Sequence, residues 1–342
     1  MKPSHVLRPG TNITPQMTSL GADSHRVTAA FFCLSLNPAI DTRLIVAGFS
    51  PGRVNRASAA YRTPGGKAAH VAMALKALDG KPRWIGFAGG VTGEELLAGL
   101  GLLEIDTVPV SARQSTRVNL EIVDTQGQVT EILEPGGTIS ESEWREFQRV
   151  CAGAFQVKAA KKIAVISGSL PPGVPAEACG ALIRLAQSAD CLAFVDSSGP
   201  PLVKALAAGA DLVKINREEA ELVTELAIHD PRAAAQAARK LLEMGAKVAV
   251  VSLGDRGLVA VRKDDPVAVH ARTSPVRTTS TVGCGDAALA GLAFAAGTDL
   301  SFEQSLVLAA ACGAANCLAA LPGRIKNEDV SRIQQNVQVE RL

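Results

Sequence analysis

Short apolar runs alternate with helical patterns through the second half of the chain, from about residue 160 onward. The apolar runs end in polar or glycine residues and span 162–170, 191–199, 210–216 and 247–254. The helical patterns lie between them, over 176–188, 200–208, 217–226 and 231–244. Continuous apolar strands that alternate with helices predict a parallel sheet with helices on both faces. In such sheets ligands bind at the carboxyl ends of the strands.

The first half of the chain is less regular. Residues 31–41 form an apolar run that predicts one buried strand, and the glycine-led segment 65–78 predicts a helix. A further strand is predicted over 83–90. Ser140, with Glu143 three positions later, has the spacing of a capping box and predicts the start of another helix.

Two segments, 42–63 and 108–137, break the alternation of strands and helices. In the second, alternating residues on both sides of the turn at 124–127 are typical of a hairpin. We expect the two segments to form a small antiparallel sheet. This sheet would be a lid inserted into a single α/β domain that spans 27–342.

The composition, with 342 residues of which 47% are hydrophobic and 20% charged, predicts a large buried core. A net charge of +2 and the lack of a dense Lys/Arg block argue against nucleic-acid binding. No apolar run approaches the ~18 residues that span a bilayer. The seven cysteines form no C-x-x-C pair, which disfavours a disulfide framework or a zinc site. Residues 1–26 are polar, so we expect a disordered tail and a cytoplasmic protein.

The stretch "TVGCGDAALAG" (281–291) matches the relaxed dinucleotide fingerprint G-x-G-x-x-A. However, polar residues precede it, and too little chain follows for a dinucleotide-binding half. The carboxylate of Asp286 would also oppose a diphosphate. A structural alternative is a glycine turn, capped by Asp286, before a helix over 287–297.

A third interpretation of this stretch is a phosphoryl-transfer site. Gly283, Cys284 and Gly285 offer backbone amides at a helix start, where a developing phosphate charge is stabilised. Asp286 can accept the proton of an attacking hydroxyl. The sequence contains no G-x-x-x-x-G-K-[ST], so a nucleotide would bind without a P-loop.

Seven short motifs together resemble the ribokinase-like (PfkB) carbohydrate kinases, in the branch that contains 1-phosphofructokinase and tagatose-6-phosphate kinase. In chain order they are "LNPAID" (36–41), "PGGKAAHVA" (64–72), "SGSLPPGVP" (167–175), "VDSSG" (195–199), "NREE" (216–219), "VVSLGDRG" (250–257) and "STVGCGD" (280–286). The resemblance covers about residues 30–325. It implies a ribokinase-like α/β fold, ATP with Mg²⁺, and phosphorylation of a sugar-phosphate hydroxyl. It also implies that Asp286 is the general base and that the amides of Gly283, Cys284 and Gly285 form the anion hole.

For the nucleotide, the resemblance implies a groove lined by Lys214, Asn216, Ser252, Gly254 and Gly257. Asn216 and Glu219 match the family's N-x-x-E, which organises Mg²⁺ and its waters. Without the resemblance, Asn216 is a helix cap, Glu219 a first-turn acid and Lys214 a solvated lysine.

For the sugar, the resemblance implies contacts from Asp41, Gly65, Gly66, Lys67, His70, Arg117 and Asn119. Asp41 would bind sugar hydroxyls, and the two glycines would let the backbone approach the sugar. Arg117 and Asn119 would contact the substrate phosphate, which suits the planar fork of a guanidinium. The alternative is that Arg117 and Asn119 are simply exposed polar residues on a β-ribbon. Lys67 fits a phosphate contact, although kinases of unphosphorylated sugars carry "GGK" too.

Four positions depart from the family's pattern. His70 stands where asparagine is usual, Ala68 replaces a glycine, Ile215 replaces a proline, and Cys284 replaces an alanine. We expect a structural or substrate-adjacent role for His70 rather than a catalytic one. Cys284 is interpreted as a spacer, with a reactive thiol as the alternative.

The sequence leaves two rival functions open, a kinase of an unphosphorylated sugar or nucleoside and a non-catalytic sugar-phosphate sensor on the same fold. We also expect a homodimer formed through the lid, because the edge strands of a small sheet need cover.

Overall fold

The computed structural model describes residues 12–13, 29–125 and 127–342. The strands are β1 (Asn12–Ile13), β2 (Ala29–Ser35), β3 (Ala39–Val46), β4 (Ala57–Gly65), β5 (Pro82–Ala88), β6 (Asp106–Ser111), β7 (Arg117–Asp124), β8 (Val129–Ile132), β9 (Lys161–Ser167), β10 (Leu192–Asp196), β11 (Leu212–Asn216), β12 (Val248–Ser252), β13 (Leu258–Arg262), β14 (Asp265–Arg272) and β15 (Gln338–Arg341). The helices are α1 (Lys67–Ala77), α2 (Gly90–Leu102), α3 (Glu141–Ala154), α4 (Ala178–Gln187), α5 (Gly199–Ala207), α6 (Arg217–Thr224), α7 (Pro231–Glu243), α8 (Cys284–Gly297), α9 (Phe302–Leu318) and α10 (Asn327–Gln334).

Within these described residues, eleven strands form one large sheet in the order β1-β15-β14-β13-β12-β11-β10-β9-β2-β5-β6. The strands from β12 to β6 pair in parallel, and β13, β14, β15 and β1 extend the sheet with antiparallel pairs. Two clusters of buried apolar residues make up the core. The predicted parallel sheet with helices is therefore confirmed. None of the described helices is both long enough and apolar enough to cross a membrane.

Helices α7 and α3 begin at the capping residues that the sequence predicts. Asp230 Oδ1 accepts a hydrogen bond of 2.7 Å from the amide of Ala233, and Pro231 occupies the first turn of α7. Ser140 and Glu143 form the predicted capping box at the start of α3. Of the predicted tail, 1–26, all but Asn12–Ile13 lies outside the described residues, and these two pair with β15.

The small sheet consists of β3, β4, β7 and β8, in the order β4-β3-β7-β8. The predicted hairpin is present as β7 and β8, whose residues pair antiparallel from Leu120 opposite Ile132. In contrast, β3 and β7 pair in parallel, so the sheet is mixed and the expectation of an antiparallel sheet is wrong. The long connection through α1, β5, α2 and β6 separates these two strands and allows a parallel pairing.

Two predicted boundaries differ from the structure. The run 31–41 is not one strand, because β2 ends at Ser35 and the chain enters the small sheet at Ala39. Pro38 lies between them and lacks the amide hydrogen that a continued ladder needs. Residues 108–111 belong to β6 of the large sheet, so the second segment of the small sheet starts at Arg117.

A buried ion pair joins the small sheet to the loop before α8. Arg43 Nε of β3 donates to Glu121 Oε2 of β7 at 2.8 Å, and Ser280 Oγ donates to Glu121 Oε1 at 2.9 Å. Arg43 Nη1 also donates to the carbonyl oxygen of Ala320. Buried charges need such partners, and these fix the small sheet above the carboxyl ends of the central strands.

Candidate active site

A polar cleft of about 510 Å³ lies between the small sheet and the carboxyl ends of the central strands. A second cavity, of about 390 Å³, lies beside it between α8, α9 and the segment after β14. The two cavities share Ser252 and Gly285 as lining residues. The start of α8 therefore separates a sugar-sized cleft from a neighbouring, less polar cavity.

Gly283 is the N-cap of α8 and takes a left-handed backbone conformation, with φ at +80°. A Cβ here would lie 2.9 Å from Pro322 Cβ, so both the backbone conformation and the lack of space require glycine. The helix begins at Cys284 rather than at 287, and Asp286 lies in its first turn instead of capping it. The amide of Cys284 donates to Thr281 O at 3.2 Å. This leaves the first-turn amides of Gly285 and Asp286 without a helical acceptor, open to an anion.

The buried carboxylate of Asp286 is held by His70. Asp286 Oδ2 lies 2.9 Å from His70 Nδ1, and the other ring nitrogen, Nε2, lies 2.8 Å from Asp41 Oδ2. Burial lowers the pKa of His70, but hydrogen bonds and charge from the two carboxylates outweigh it and raise that pKa to about 10. The structure thus brings the predicted general base together with two of the predicted sugar-contact residues.

Asp41 is fixed on its other side by the small sheet. Asn119 Nδ2 donates to Asp41 Oδ1 at 2.9 Å, and the Asn119 side-chain oxygen is buried without a partner among the described residues. Burial raises the pKa of Asp41, but the bonds from His70, Asn119 and the Gly66 amide hold it below its usual value. A Cβ on Gly65 would lie 2.2 Å from Asp41 Cγ, so this glycine makes room for the carboxylate itself.

Asp196, at the end of β10, is a site residue that the sequence analysis missed. It is fully buried and accepts hydrogen bonds from Lys67 Nζ, at 2.5 Å, and from Lys214 Nζ. Burial raises the pKa of Asp196, but the two lysines lower it well below the usual value. Its strand-end position in "VDSSG" was visible in the sequence. Its two lysine partners, on α1 and β11, depend on the tertiary fold.

The two lysines face the start of α8. A Cβ on Gly285 would lie 2.6 Å from Lys214 Nζ, which places that ammonium against the open helix amides. Burial lowers the pKa of Lys67, but the carboxylates of Asp196, Asp286 and Glu219 outweigh it and raise that pKa above its usual value. Two lysines and two open helix amides therefore border the same cleft as Asp286, and such donors suit a phosphoryl group.

Asn216 and Glu219 form a reciprocal capping box at the start of α6. Glu219 N donates to Asn216 Oδ1 at 2.8 Å, and Asn216 N donates to Glu219 Oε2 at 3.0 Å. Glu219 Oε1 lies in the cleft, 4.0 Å from Lys67 Nζ. This one carboxylate oxygen cannot enclose a cation, but it fits a hydrated Mg²⁺ that takes its other oxygens from water and phosphate. No group of three or more His, Cys, Asp or Glu side chains suited to a metal occurs in the described part of the chain.

The second cavity is lined on one side by the turn after β12. Gly254 and Gly257 both have positive φ, and a Cβ on Gly257 would lie 2.1 Å from Ala271 O. Ser252 Oγ donates to Ile215 O at 3.3 Å, which joins the ends of β12 and β11. The opposite wall comes from α8 and α9, with Ala288, Ala309, Ala310 and Gly313. Walls made of small side chains and backbone suit a nucleotide base.

Arg117 lies at the small-sheet rim of the cleft. Its Nη1 donates to Glu134 O at 2.6 Å and its Nη2 to Asn37 O at 3.2 Å. Its Nε is buried without a partner among the described residues. A guanidinium fixed by carbonyls, with one donor unused, suits an anionic group of a ligand.

These features match an enzyme family. The profile of the pfkB family carbohydrate kinases covers residues 33–326. The chain belongs to this family. It is 32% identical, over 88% of its length and 97% of the relative, to the ATP-dependent 6-phosphofructokinase isozyme 2 of Escherichia coli. It is 28% identical, over 91% of its length and 99% of the relative, to the 1-phosphofructokinase of Bacillus subtilis.

The fold of this carbohydrate kinase also matches solved structures. Phosphofructokinase-2 from Escherichia coli in complex with fructose-6-phosphate superposes with a TM-score of 0.80 at 31% identity. That match covers 90% of this chain and 98% of the other. The resemblance drawn from the motifs and the ribokinase-like fold are thus confirmed, and the protein is a phosphotransferase that acts on a sugar hydroxyl.

Cys284 differs in environment from the rest of the first turn of α8. Its Sγ lies 3.3 Å from Cys317 Sγ on α9, and both thiols line the second cavity. Their shared hydrogen bond raises the pKa of Cys284 and lowers that of Cys317. The side chain faces away from the polar cleft, and the Cys284 amide is already bonded to Thr281. Of the predicted anion-hole amides, that of Cys284 is therefore not available.

Proposed function

We propose that this kinase transfers the γ-phosphoryl group of ATP to a hydroxyl of a hexose monophosphate. The observation that carries the proposal is the position of Asp286, at the border of two cavities and beside two open helix amides. The relatives named above act on fructose phosphates by their names. Fructose 1-phosphate, fructose 6-phosphate and tagatose 6-phosphate are the candidate acceptors.

Asp286 is the general base in this proposal. Its Oδ2 accepts the bond from His70, and Oδ1 has no described side-chain partner and is free to face the acceptor hydroxyl. As the hydroxyl oxygen attacks the γ-phosphorus, its proton moves to Asp286 and the bond from phosphorus to the bridging oxygen of ADP breaks. Because the base and the acceptor are held in place, the step avoids the entropy cost of an encounter.

The charge of the transferring group is stabilised by groups that are already in position. The amides of Gly285 and Asp286 and the ammonium groups of Lys67 and Lys214 surround the reacting point. Such preorganised donors act strongly in a cleft from which most water is excluded. When bound, Mg²⁺ neutralises phosphate charge, and Glu219 with Asn216 would hold it through water.

Arg117 and Asn119 select a phosphorylated sugar in this proposal. Both residues line the cleft, where the guanidinium of Arg117 contacts the substrate phosphate and the side chain of Asn119 contacts a sugar hydroxyl. The small sheet, which carries both residues, acts as a lid that excludes water during transfer. The second cavity, with Ser252, Gly254 and Gly257, takes the nucleotide base and ribose.

We further propose a homodimer through the lid. The edge strands β4 and β8 have no described neighbour on their outer sides, and Tyr61 and Ile132 are half exposed there. Light scattering at micromolar concentration tests this, since a monomer would contradict the dimer. A solved relative is described as a tetrameric inhibited form of phosphofructokinase-2, so the mass also separates a dimer from a tetramer.

An ADP-release screen over free and phosphorylated sugars tests the proposed function. We expect turnover with at least one hexose monophosphate, and loss of that turnover in Asp286→Asn. Asp299→Asn is the matched control, because this exposed residue follows the other end of α8 and pairs with Lys161. ADP release with no phosphorylated sugar, but with free sugars or nucleosides, would favour the rival kinase. No ADP release with any acceptor would favour a sugar-phosphate sensor.

A further inference from the structure

His70 lies between two carboxylates that come from different layers of the protein. It belongs to α1, while Asp286 belongs to α8 and Asp41 to β3 of the small sheet. Both ring nitrogens lie within 2.9 Å of a carboxylate oxygen, and the ring is buried. The family pattern that the motifs resemble has asparagine here, so the bridge depends on a residue that departs from that pattern.

The number of protons on the His70 ring determines whether both contacts can be hydrogen bonds. An ionised carboxylate only accepts hydrogen bonds, and a neutral imidazole has one N–H. A neutral ring between two ionised carboxylates would therefore direct a nitrogen lone pair at an oxygen lone pair. Two hydrogen bonds require two protons, and an imidazolium supplies both with good geometry at each nitrogen.

The charges around His70 favour the imidazolium. Asp41 and Asp286 contact it, and Glu131 of β8 adds a further negative charge across the cleft. On its own helix, Lys67 opposes this, but that ammonium is engaged by Asp196. The charges of Arg43 and Glu121 on the neighbouring strands offset each other in their own ion pair.

We propose that His70, as an imidazolium, is a positioning residue that fixes Asp286 and Asp41 relative to each other. The proposal rests on the proposed function, because it explains how the base and the sugar-binding carboxylate keep one arrangement. Because His70 holds Oδ2 of Asp286, the orientation of the free Oδ1 is fixed. In the proposed function Oδ1 then points toward the sugar hydroxyl that Asp41 orients. The bridge also links the small sheet to α8, so a displaced lid would disturb the base.

The first test measures the protons directly and does not depend on kinase activity. In ¹⁵N-labelled protein, long-range proton–nitrogen correlation spectra report whether each ring nitrogen of a histidine carries a proton. We expect both nitrogens of His70 to be protonated at about pH 8, where an ordinary histidine is neutral. A spectrum in which one His70 nitrogen lacks a proton at that pH would overturn the proposal.

The second test compares His70→Asn with the unmodified kinase. Asparagine cannot carry charge and cannot reach both carboxylates, so we expect kcat to fall by about 10²-fold. KM for ATP stays unchanged, since the nucleotide cavity lies on the other side of Gly285. We expect KM for the sugar phosphate to rise in the same variant, because Asp41, which contacts the sugar in the proposed function, also loses its bond to His70.

His270→Asn is the matched control, because His270 is the other buried histidine of the described residues and bonds to Arg256 O at 2.7 Å. It should leave kcat and KM for the sugar phosphate unchanged. An unchanged kcat in His70→Asn, or a rise in KM for ATP as large as that for the sugar phosphate, would mean a packing role only and would overturn the proposal. Should His70→Asn not fold, the spectrum of the unmodified protein decides. If no sugar is phosphorylated but both nitrogens are protonated, the proposed function fails while the imidazolium stands.

Discussion

The two cavities that meet at Gly285 are built from different kinds of residue. The polar cleft contains Asp41, Lys67, His70, Asp196 and Asp286, each bonded to another member of this set. The second cavity has walls of glycine, alanine and threonine and a single titratable carboxylate, that of Asp255, among its described lining residues. We therefore assign the chemical step to the polar cleft and nucleotide binding to the second cavity. Changes around Asp286 in the cleft should lower kcat, changes at the sugar-contact residues of the cleft should raise KM for the sugar, and changes in the second cavity should raise KM for the nucleotide.

The largest effect is expected for Asp286→Asn. The amide keeps the shape and its contact with His70 but cannot take the hydroxyl proton, so kcat should fall by about 10³-fold or more. Steady-state kinetics with saturating ATP and sugar phosphate measure this. A variant with near-native turnover would mean that the base lies elsewhere in the cleft.

A smaller effect is expected for Arg117→Ala. Loss of a charged hydrogen bond to the substrate phosphate should raise KM for the phosphorylated sugar by about 10- to 100-fold. KM for ATP, measured on the same variant, is the internal control. An equal loss with free and phosphorylated sugars would count against a phosphate contact.

A substitution in the second cavity tests the other half of the comparison. Ala310→Leu places a larger side chain in the nucleotide cavity and should raise KM for ATP by about tenfold with kcat nearly unchanged. KM for the sugar phosphate should not move. If kcat falls instead, the second cavity affects the chemical step, which contradicts the proposed separation of the two cavities.

The last prediction concerns stability and pH rather than catalysis. The pKa of His70 is about 10 in the folded protein, well above that of a histidine in an unfolded chain, so the folded state binds the extra proton. This contribution is complete below about pH 6.5 and is lost as the pH rises toward 10. Urea unfolding should show stability falling with pH in that window, by on the order of 1 kcal/mol per pH unit. His70→Asn should show a flatter dependence, and equal slopes would contradict the assignment.

The structure around the proposed nucleotide half of the site was largely predictable because its signals are local. Asn216 and Glu219 are three positions apart, and that spacing defines both the capping box and the motif. Ser252 and Gly254 follow directly from the end of a predicted strand. Each of these assignments needed only a few consecutive residues.

The sugar half depends on contacts that no local pattern contains. His70 and Asp286 are 216 positions apart, and Asp41 reaches His70 only because the chain leaves the large sheet at Asn37 and Pro38. Local sequence patterns therefore indicate the histidine and the two aspartates but not the hydrogen-bonded bridge that they form. The parallel pairing of β3 with β7, which brings Asn119 beside Asp41, was likewise outside its reach.

The shared wall at Gly285 has a consequence for the order of events in a catalytic cycle. Because the two cavities share Gly285 and Ser252 as lining residues, the proposed donor and acceptor sites adjoin, and we expect the phosphoryl group to pass directly from one substrate to the other. Both substrates must then be present together before either product forms. Initial rates measured against both substrates should therefore give intersecting rather than parallel double-reciprocal lines.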